Sequence, residues 1–408
     1  MSQKLFTLGP VEMFEYTRAR SLGQLPYFRT EDFSTINLEC SEKLKRIAGA
    51  PEDAHVFLLT CSGTGAMEAV VGGCFSGAPG SEDRLLVIDG GGFGHRFCEI
   101  AAHHGIPHES VKLEFGQALE KEMLGGLLRG FAARNDAIRH CEEQGDEAVD
   151  SRNDAIRHCE EQGDEAVDSR NNASFTGLLV NLHESTTGQL FDKDMLAGLC
   201  RGHGLYFVVD AISSFLADPL DFEKDGVDAL IISSQKALAL PPGLSAVILS
   251  DRLYKKILEQ EIKPFSMYFD FQDAEANAVR GQTPFTPAIG LILALLERLA
   301  HIESEGGAEA SIKRTKAIAE DFRERIGPLL KEGKIAIPSY PLSNACTPLV
   351  FPNGGAKKVY ETLALKKGIW LNPNGGELAD KVLRVGHLGD ITKEDNEMLT
   401  ALLTGILV

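Results

Sequence analysis

No run of apolar residues in this 408-residue chain approaches the ~18 that a membrane-spanning helix requires. The opening MSQKLFTLGP lacks the apolar core of a secretory signal, so a cytoplasmic protein is expected. Positive charge is in deficit as well: 41 Lys and Arg against 59 Asp and Glu give a net charge of −18. That balance argues against a nucleic-acid binder, whose affinity comes largely from neutralising phosphates, and against a polybasic membrane anchor. The eight cysteines (Cys40, Cys61, Cys74, Cys98, Cys141, Cys159, Cys200 and Cys346) include no CxxC pair and no His at zinc-ligand spacing. No disulfide framework and no metal site is therefore expected, and the thiols read as buried or incidental groups of a reducing compartment.

What is present is ordinary for a globular protein, with 43% hydrophobic and 25% charged residues. At roughly 150 residues per domain the length allows about two to three domains, long enough to bury a large core without cross-links. One segment is foreign to that pattern. Arg134–Ser151 reads RNDAIRHCEEQGDEAVDS, and Arg152–Ser169 repeats all 18 residues unchanged. Packed repeats diverge because each copy meets different neighbours, so perfect identity indicates a recent tandem duplication, and the text resembles translated mobile repeat elements of bacterial genomes. Two Arg against six acidic groups per copy make the pair account for −8 of the −18. With few apolar residues to offset ordering entropy, 134–169 is expected to be a solvated insertion. His140, His158, Cys141 and Cys159 recur only because the repeat does.

Elsewhere short β-branched runs alternate with amphipathic helical stretches. The strand candidates are HVFLLT (55–60), RLLVIDG (84–90), SVKLEF (110–115), GLLVNLH (177–183), YFVVDAI (206–212), DALIIS (228–233) and LSAVILS (244–250). Near-continuous apolar strands separated by helices predict an α/β fold with a mostly parallel seven-stranded sheet covered on both faces. From about residue 285 two long helices (288–304 and 309–326) precede the short strands KIAIP, TPLVFP and VLRVGHL, which predicts a smaller C-terminal α+β domain. The expected division is an N-terminal segment 1–20, a large domain 21–284 and a small domain 285–408.

Ligands of such sheets bind at the carboxyl ends of the strands, and several of those ends carry chemistry. Thr60-Cys61-Ser62-Gly63-Thr64-Gly65 runs into a helix and suits either an anion or a capped tight turn. Asp89-Gly90-Gly91-Gly92-Phe93-Gly94-His95 only partly matches a dinucleotide fingerprint, because His95 stands where the third glycine belongs. A ring held between glycines also suits stacking on a flat cofactor. His183-Glu184-Ser185-Thr186-Thr187-Gly188 is a polar row after an apolar strand. Asp210 closes another, where a carboxylate is costly unless it meets a cation or caps a helix. Lys236, in SSQKALALPPG, follows DALIIS; desolvation there lowers a lysine's proton affinity and makes its amine a nucleophile, though a snorkelling surface lysine has the same local sequence.

Together SGTGAM, GGGFGHR, HESTTG, VVDAISS, SSQKALALPPG and VLRVGHLG resemble, in order and spacing, the class V pyridoxal-phosphate aminotransferases of fold type I. The resemblance spans the chain outside the insertion and is nearest to the branch of alanine–glyoxylate, serine–glyoxylate and 2-aminoethylphosphonate–pyruvate transaminases. It implies pyridoxal 5′-phosphate bound in the large domain, with Lys236 as the Schiff-base lysine and catalytic base of a ping-pong aldimine/ketimine mechanism. It implies Asp210 on the pyridine nitrogen, Phe93 and Ile212 on the two ring faces, and Ser185 near the phenolic oxygen. Ser62, Gly63, Thr64 and Gln235 would hold the phosphate, joined by Thr283 and Thr286 of GQTPFTP from a partner subunit, hence a homodimer. The same GQTPFTP also reads as a turn before a long helix. Arg384 matches the substrate-carboxylate clamp, Arg29 stands as a second anion contact, and Gly9-Pro10 matches a segment lining the entrance. The activity implied is transfer of an amino group from alanine, serine or 2-aminoethylphosphonate to pyruvate or glyoxylate. A lyase or desulfurase of the same fold is the nearest alternative, but Gln235 and Phe93 stand where desulfurases usually carry His. A non-catalytic cofactor-binding protein is the other. Excising Arg134–Ser169 is expected to leave activity and fold unchanged; an inactive variant that melts at the parental temperature would refute this.

Overall fold

In a computed structural model, described over residues 3–19, 24–128, 174–260 and 262–407, the chain is organised around a seven-stranded sheet. Its strands are β1 (His55–Leu59), β2 (Leu85–Asp89), β3 (His108–Lys112), β4 (Gly177–Asn181), β5 (Tyr206–Asp210), β6 (Ala229–Ser233) and β7 (Ser245–Leu249), in the spatial order β1-β7-β6-β5-β4-β2-β3. Only β7 runs against the others. The candidate insertion 134–169 lies outside the described residues.

Period-two alternation along these strands builds a core on each face. Leu86 and Ile88 of β2, Phe207 and Val209 of β5 and Leu230 and Ile232 of β6 point to one side. Leu85, Val87, Val208, Ala229 and Ile231 point to the other. Each of these Val, Leu, Ile and Phe side chains, fully buried, contributes roughly 1.5–3 kcal/mol, and burial of both faces is why the sequence reads as unbroken apolar runs. The edge strand β3 differs. Its HESVK is half-exposed, so its register begins two residues before the apolar stretch that sequence periodicity picks out, and the expected span 110–115 is corrected to 108–112.

The helices end where their terminal residues dictate. For α1 (Glu31–Ala48), Thr30 accepts the Phe33 N–H, acids fill the first turn, Lys45 and Arg46 the last, and Gly49 closes it in the left-handed region. Next come α2 (Gly63–Cys74), α3 (Gly92–His103), α4 (Lys193–His203) and α5 (Asp251–Glu259). Then follow α6 (Ile289–Ser304), α7 (Gly307–Arg325) and α8 (Lys393–Leu407). Glu303 of α6 binds Lys43 and Arg46 of α1 at 2.6 and 2.8 Å.

A second core surrounds a three-stranded sheet of β8 (Cys346–Val350), β9 (Asn372–Pro373) and β10 (Val382–Gly386), with β10 in the middle. Phe322 of α7, Leu383 and Val385 of β10, and Leu399 and Leu403 of α8 fill it. KIAIP does not form a strand here; only Ala336 bridges to Val350. Phe6 joins this core, and Lys4-Leu5 pairs in parallel with Ile369-Trp370, so the N-terminal segment begins on the second unit. Among the described residues, no helix is long and apolar enough to cross a membrane.

One buried ion pair holds the helix that matters most to the site. Lys256 of α5 donates to the Cys74 carbonyl at the end of α2 (2.7 Å) and to Asp83 before β2 (2.9 Å), over the face of Phe75. Lys256→Met leaves the Asp83 charge buried without its cation, and is expected to destabilise the protein by about 3–5 kcal/mol in urea denaturation.

Candidate active site

Five strand ends converge on one cavity of about 210 Å³, lined by Gly9, Ser62, Gly63, Thr64, Met67, Phe93, Asn181, His183, Ser185, Asp210, Ile212, Ser213, Gln235 and Lys236. Its floor on one flank is the start of α2. The Ser62 hydroxyl accepts the Gly65 N–H, and the first amides of the helix have no intrahelical acceptor. Gly63 packs closely, since a Cβ there would stand 2.5 Å from Ile212 Cδ1 and the isoleucine end would have to shift. Amides and a positive helix end facing a cavity form an anion cradle. Gln235 stands beside it, its carbonyl oxygen held by the Ser233 hydroxyl at 2.6 Å.

Asp210 and Lys236 enter the same cavity from adjacent parallel strands, β5 and the end of β6. Burial raises the Asp210 carboxyl to about 7, against the hydrogen bond from the Ile212 N–H and the positive charge of Lys236. Burial lowers the Lys236 ammonium to about 8, opposed by Asp210 and reinforced by Arg384. Each group is therefore poised near neutrality by desolvation, and each resists the other's shift. Gly9, at φ +143°, lies against the lysine stem: a Cβ at this position would fall 2.8 Å from Lys236 Cδ. The N-terminal segment thus closes over the amine with backbone alone.

The opposite flank is the exit of β4, where Asn181, His183 and Ser185, two residues apart, all face the cavity. Glu184 between them turns away. Its carboxylate accepts the N–H groups of Phe93 (3.1 Å) and Gly94 (3.0 Å), the Asn181 amide (3.0 Å) and the Thr186 N–H (2.9 Å) and hydroxyl (2.6 Å). It caps α3, which has only Gly91 at its own N-cap, and so sets where Phe93 sits.

Arg384 of β10 reaches the cavity rim, donating to the Ser185 carbonyl at 2.9 Å and the Pro373 carbonyl at 2.8 Å. Asn374 donates to the Thr186 carbonyl at 3.0 Å, so the run 372–376 braces the rim. Read from sequence, that run has no role, His183 and Glu184 stand only in a polar row at a strand end without individual roles, and Asn181 is not singled out. The signal for Glu184 lay in what α3 lacks, since GGGFG offers no Ser, Thr, Asp or Asn to cap a helix. Arg29 is not brought to this cavity. Its guanidinium is taken up by Gln282 Oε1 and the carbonyls of Thr283 and Pro284, and it anchors the GQTPFTP loop instead. Thr283 and Thr286 line a separate pocket with Tyr268 and Phe285, away from the cavity of their own chain.

The family model "Aminotransferase class-V" matches residues 140–384, more than half of the chain. An uncharacterised aminotransferase of Helicobacter pylori J99 is 27% identical over 390 residues, covering 95% of this chain and 89% of that protein. A serine–glyoxylate aminotransferase of Methylorubrum extorquens is 25% identical over 393 residues, covering 95% and 87%. The crystal structure of an alanine–glyoxylate aminotransferase from Nostoc sp. superposes with a TM-score of 0.81 at 22% identity, over 100% of this chain and 96% of that one. The fold is that of the fold type I aminotransferases. The chain belongs to the class V aminotransferases and is an enzyme of that family.

The raised Asp210 carboxyl makes a prediction for the unliganded protein. With a folded value of about 7 against an ordinary 3.8, its contribution to stability is full below pH 3.8 and is lost as pH rises through 7. Asp210→Asn removes that loss. Its melting temperature is expected to fall less than that of the parent between pH 4 and 8, as read by differential scanning calorimetry.

Proposed function

We propose that the cavity holds pyridoxal 5′-phosphate and that the protein moves an amino group from a small α-amino acid, alanine or serine, to a small 2-oxo acid, glyoxylate or pyruvate. The residues fit the coenzyme at each of its functional groups. The anion cradle of Ser62, Gly63, Thr64 and Gln235 takes the phosphate, and the buried Asp210 takes a cationic ring nitrogen. Phe93 and Ile212 line the cavity where they would flank a flat ring, and Lys236 where it would meet the reactive carbon. Buried side-chain atoms without partners, including Asn181 Oδ1, both nitrogens of His183 and Arg384 Nε, are those of a site built to receive a polar ligand.

The coenzyme, when bound, supplies an electron sink for the pair of electrons left when the substrate Cα gives up its proton. The chain's own residues do the rest. Lys236 Nζ, with its proton affinity lowered to about 8, takes up and releases the proton at the substrate Cα near neutral pH. The Asp210 carboxylate faces the ring nitrogen and holds the proton there. The Arg384 guanidinium binds the substrate carboxylate at the rim, where its planar fork suits two parallel hydrogen bonds. Gly9 keeps water from the lysine stem. Thr283 and Thr286 lie outside their own cavity and complete the phosphate cradle of a second copy, which makes the working unit a homodimer.

The observation that carries this reading is the shared cavity of Lys236 and Asp210. Donor choice rests on the arginines. Arg384 stands at the cavity rim, where one carboxylate could take over its donors from the Ser185 and Pro373 carbonyls, whereas Arg29 lies on the loop 282–284 off this cavity, which favours a singly anionic donor over 2-aminoethylphosphonate. Lys236→Ala is expected to keep the coenzyme without covalent attachment and to lose half-reaction turnover by about 10²–10⁴-fold. A panel of alanine, serine and 2-aminoethylphosphonate against glyoxylate and pyruvate, with released 2-oxo product measured, tests the substrates. Turnover of the phosphonate alone would overturn the assignment of the donor, and normal turnover by Lys236→Ala would overturn that of the base.

A further inference from the structure

His183 is left without a task by that reading, and its surroundings assign it one. The residue is 1% exposed, and among the described residues neither ring nitrogen makes a hydrogen bond of good geometry. A buried polar atom without a partner costs about 1–3 kcal/mol, and a neutral imidazole carries two of them. The ring lines the cavity, so its partner is whatever the cavity binds. Its backbone is held firmly: the His183 carbonyl accepts from the Ser213 hydroxyl (3.2 Å) and the Asn181 amide (3.3 Å), and the preceding Leu182 N–H donates to the Asp210 carbonyl (3.0 Å).

The imidazole is neutral throughout the working pH range. Burial first, then the positive charges of Lys236 after β6, Arg384 on β10 and Arg323 on α7, push it down to about 3, against a weaker upward pull from the Ser213 backbone. It presents one N–H donor and one lone pair, never a cation.

Sheet topology identifies the ligand atom it meets. β5, bearing Asp210, lies between β6 and β4. The anion cradle belongs to the β6 and β1 flank, while Asn181, His183 and Ser185 form the β4 flank. In pyridoxal phosphate the phosphate arm and the ring oxygen stand on opposite edges of the axis from ring nitrogen to reactive carbon. With the nitrogen at Asp210, the reactive carbon at Lys236 and the phosphate on the β6 flank, the ring oxygen faces β4. Resting on the coenzyme reading above, we propose that His183 donates its N–H to the ring oxygen of bound pyridoxal phosphate, beside Ser185. It thereby sets how strongly that oxygen holds the proton shared with the coenzyme-linked nitrogen of Lys236.

A donor to the anionic oxygen favours the form that has given up the shared proton, so removing the donor raises the pH at which the coenzyme's visible band changes. Titration of the reconstituted proteins tests this. His183→Leu, of similar bulk but without a donor, is expected to shift the midpoint up by about one pH unit, a tenfold change in proton affinity. His183→Asn, which keeps a donor, is expected to restore it. A His183→Leu midpoint equal to that of the parent overturns the proposal while leaving the coenzyme reading intact. A parent protein that develops no visible band with pyridoxal phosphate overturns the coenzyme reading itself, and this proposal with it. Should the leucine variant not fold, ¹⁵N-labelled parent protein decides. The imidazole N–H resonance missing from His183→Asn moves downfield on adding pyridoxal phosphate if the proposal holds, and an unmoved resonance overturns it.

Discussion

The site depends on keeping an acid and an amine dry within one cavity. Asp210 and Lys236 leave neighbouring strands of the buried centre of the sheet, where water cannot solvate either charge, and each is displaced toward neutrality. Their mutual attraction offsets only part of that cost, which is why both remain chemically available. Much of the surrounding structure serves this condition. Gly9 lies flush on the lysine stem, and Ile212 fits against Gly63 and gives Asp210 a single backbone hydrogen bond. More numerous polar partners would hold the acid's charge too well.

Glu184 shows how the same sheet aims an aromatic ring. The helix carrying Phe93 starts in a run of glycines and has no capping side chain of its own. A carboxylate from the exit of β4 satisfies its first amides instead, where a negative charge on a helix N-terminus is worth about 0.3–2 kcal/mol. The chain leaving β4 thus faces two ways, with alternate residues turned to the cavity and the one between them turned to α3. Phe93 and the Asn181–Ser185 wall are consequently fixed relative to each other by a single side chain.

The central strands and the five strand ends at the cavity were legible in the sequence because their causes are local. A short β-branched run bounded by turn residues reads as a strand buried on both faces, and a lysine or aspartate ending one has few reasons to be there. The parts that escaped are set by partners far away in the chain. The span of β3 follows its pairing with β2 rather than its own apolar residues, and KIAIP has the composition of a strand but only one bridging residue. Glu184 is some 90 residues from the amides it caps. Arg29 carried the right charge for an anion contact, yet the carbonyls of the loop beside it take up its donors. Asn374 and the wall residue His183 were visible as residues but not as neighbours, since nothing in their local sequence tells which cavity they border.

The N-terminal segment reaches Lys236 only by way of the second sheet: Lys4-Leu5 zips onto Ile369-Trp370, Phe6 accepts the Gly386 N–H, and Gly9 then covers the amine. During synthesis on the ribosome residues 4–9 must therefore wait, undocked, for partners made more than 350 residues later. The large sheet can form while the chain is still growing, but the amine stays open to solvent until the second sheet has been made. Maturation of the pocket is in that sense timed by the ribosome, with an early-made segment closing it only once a late-made one is in place.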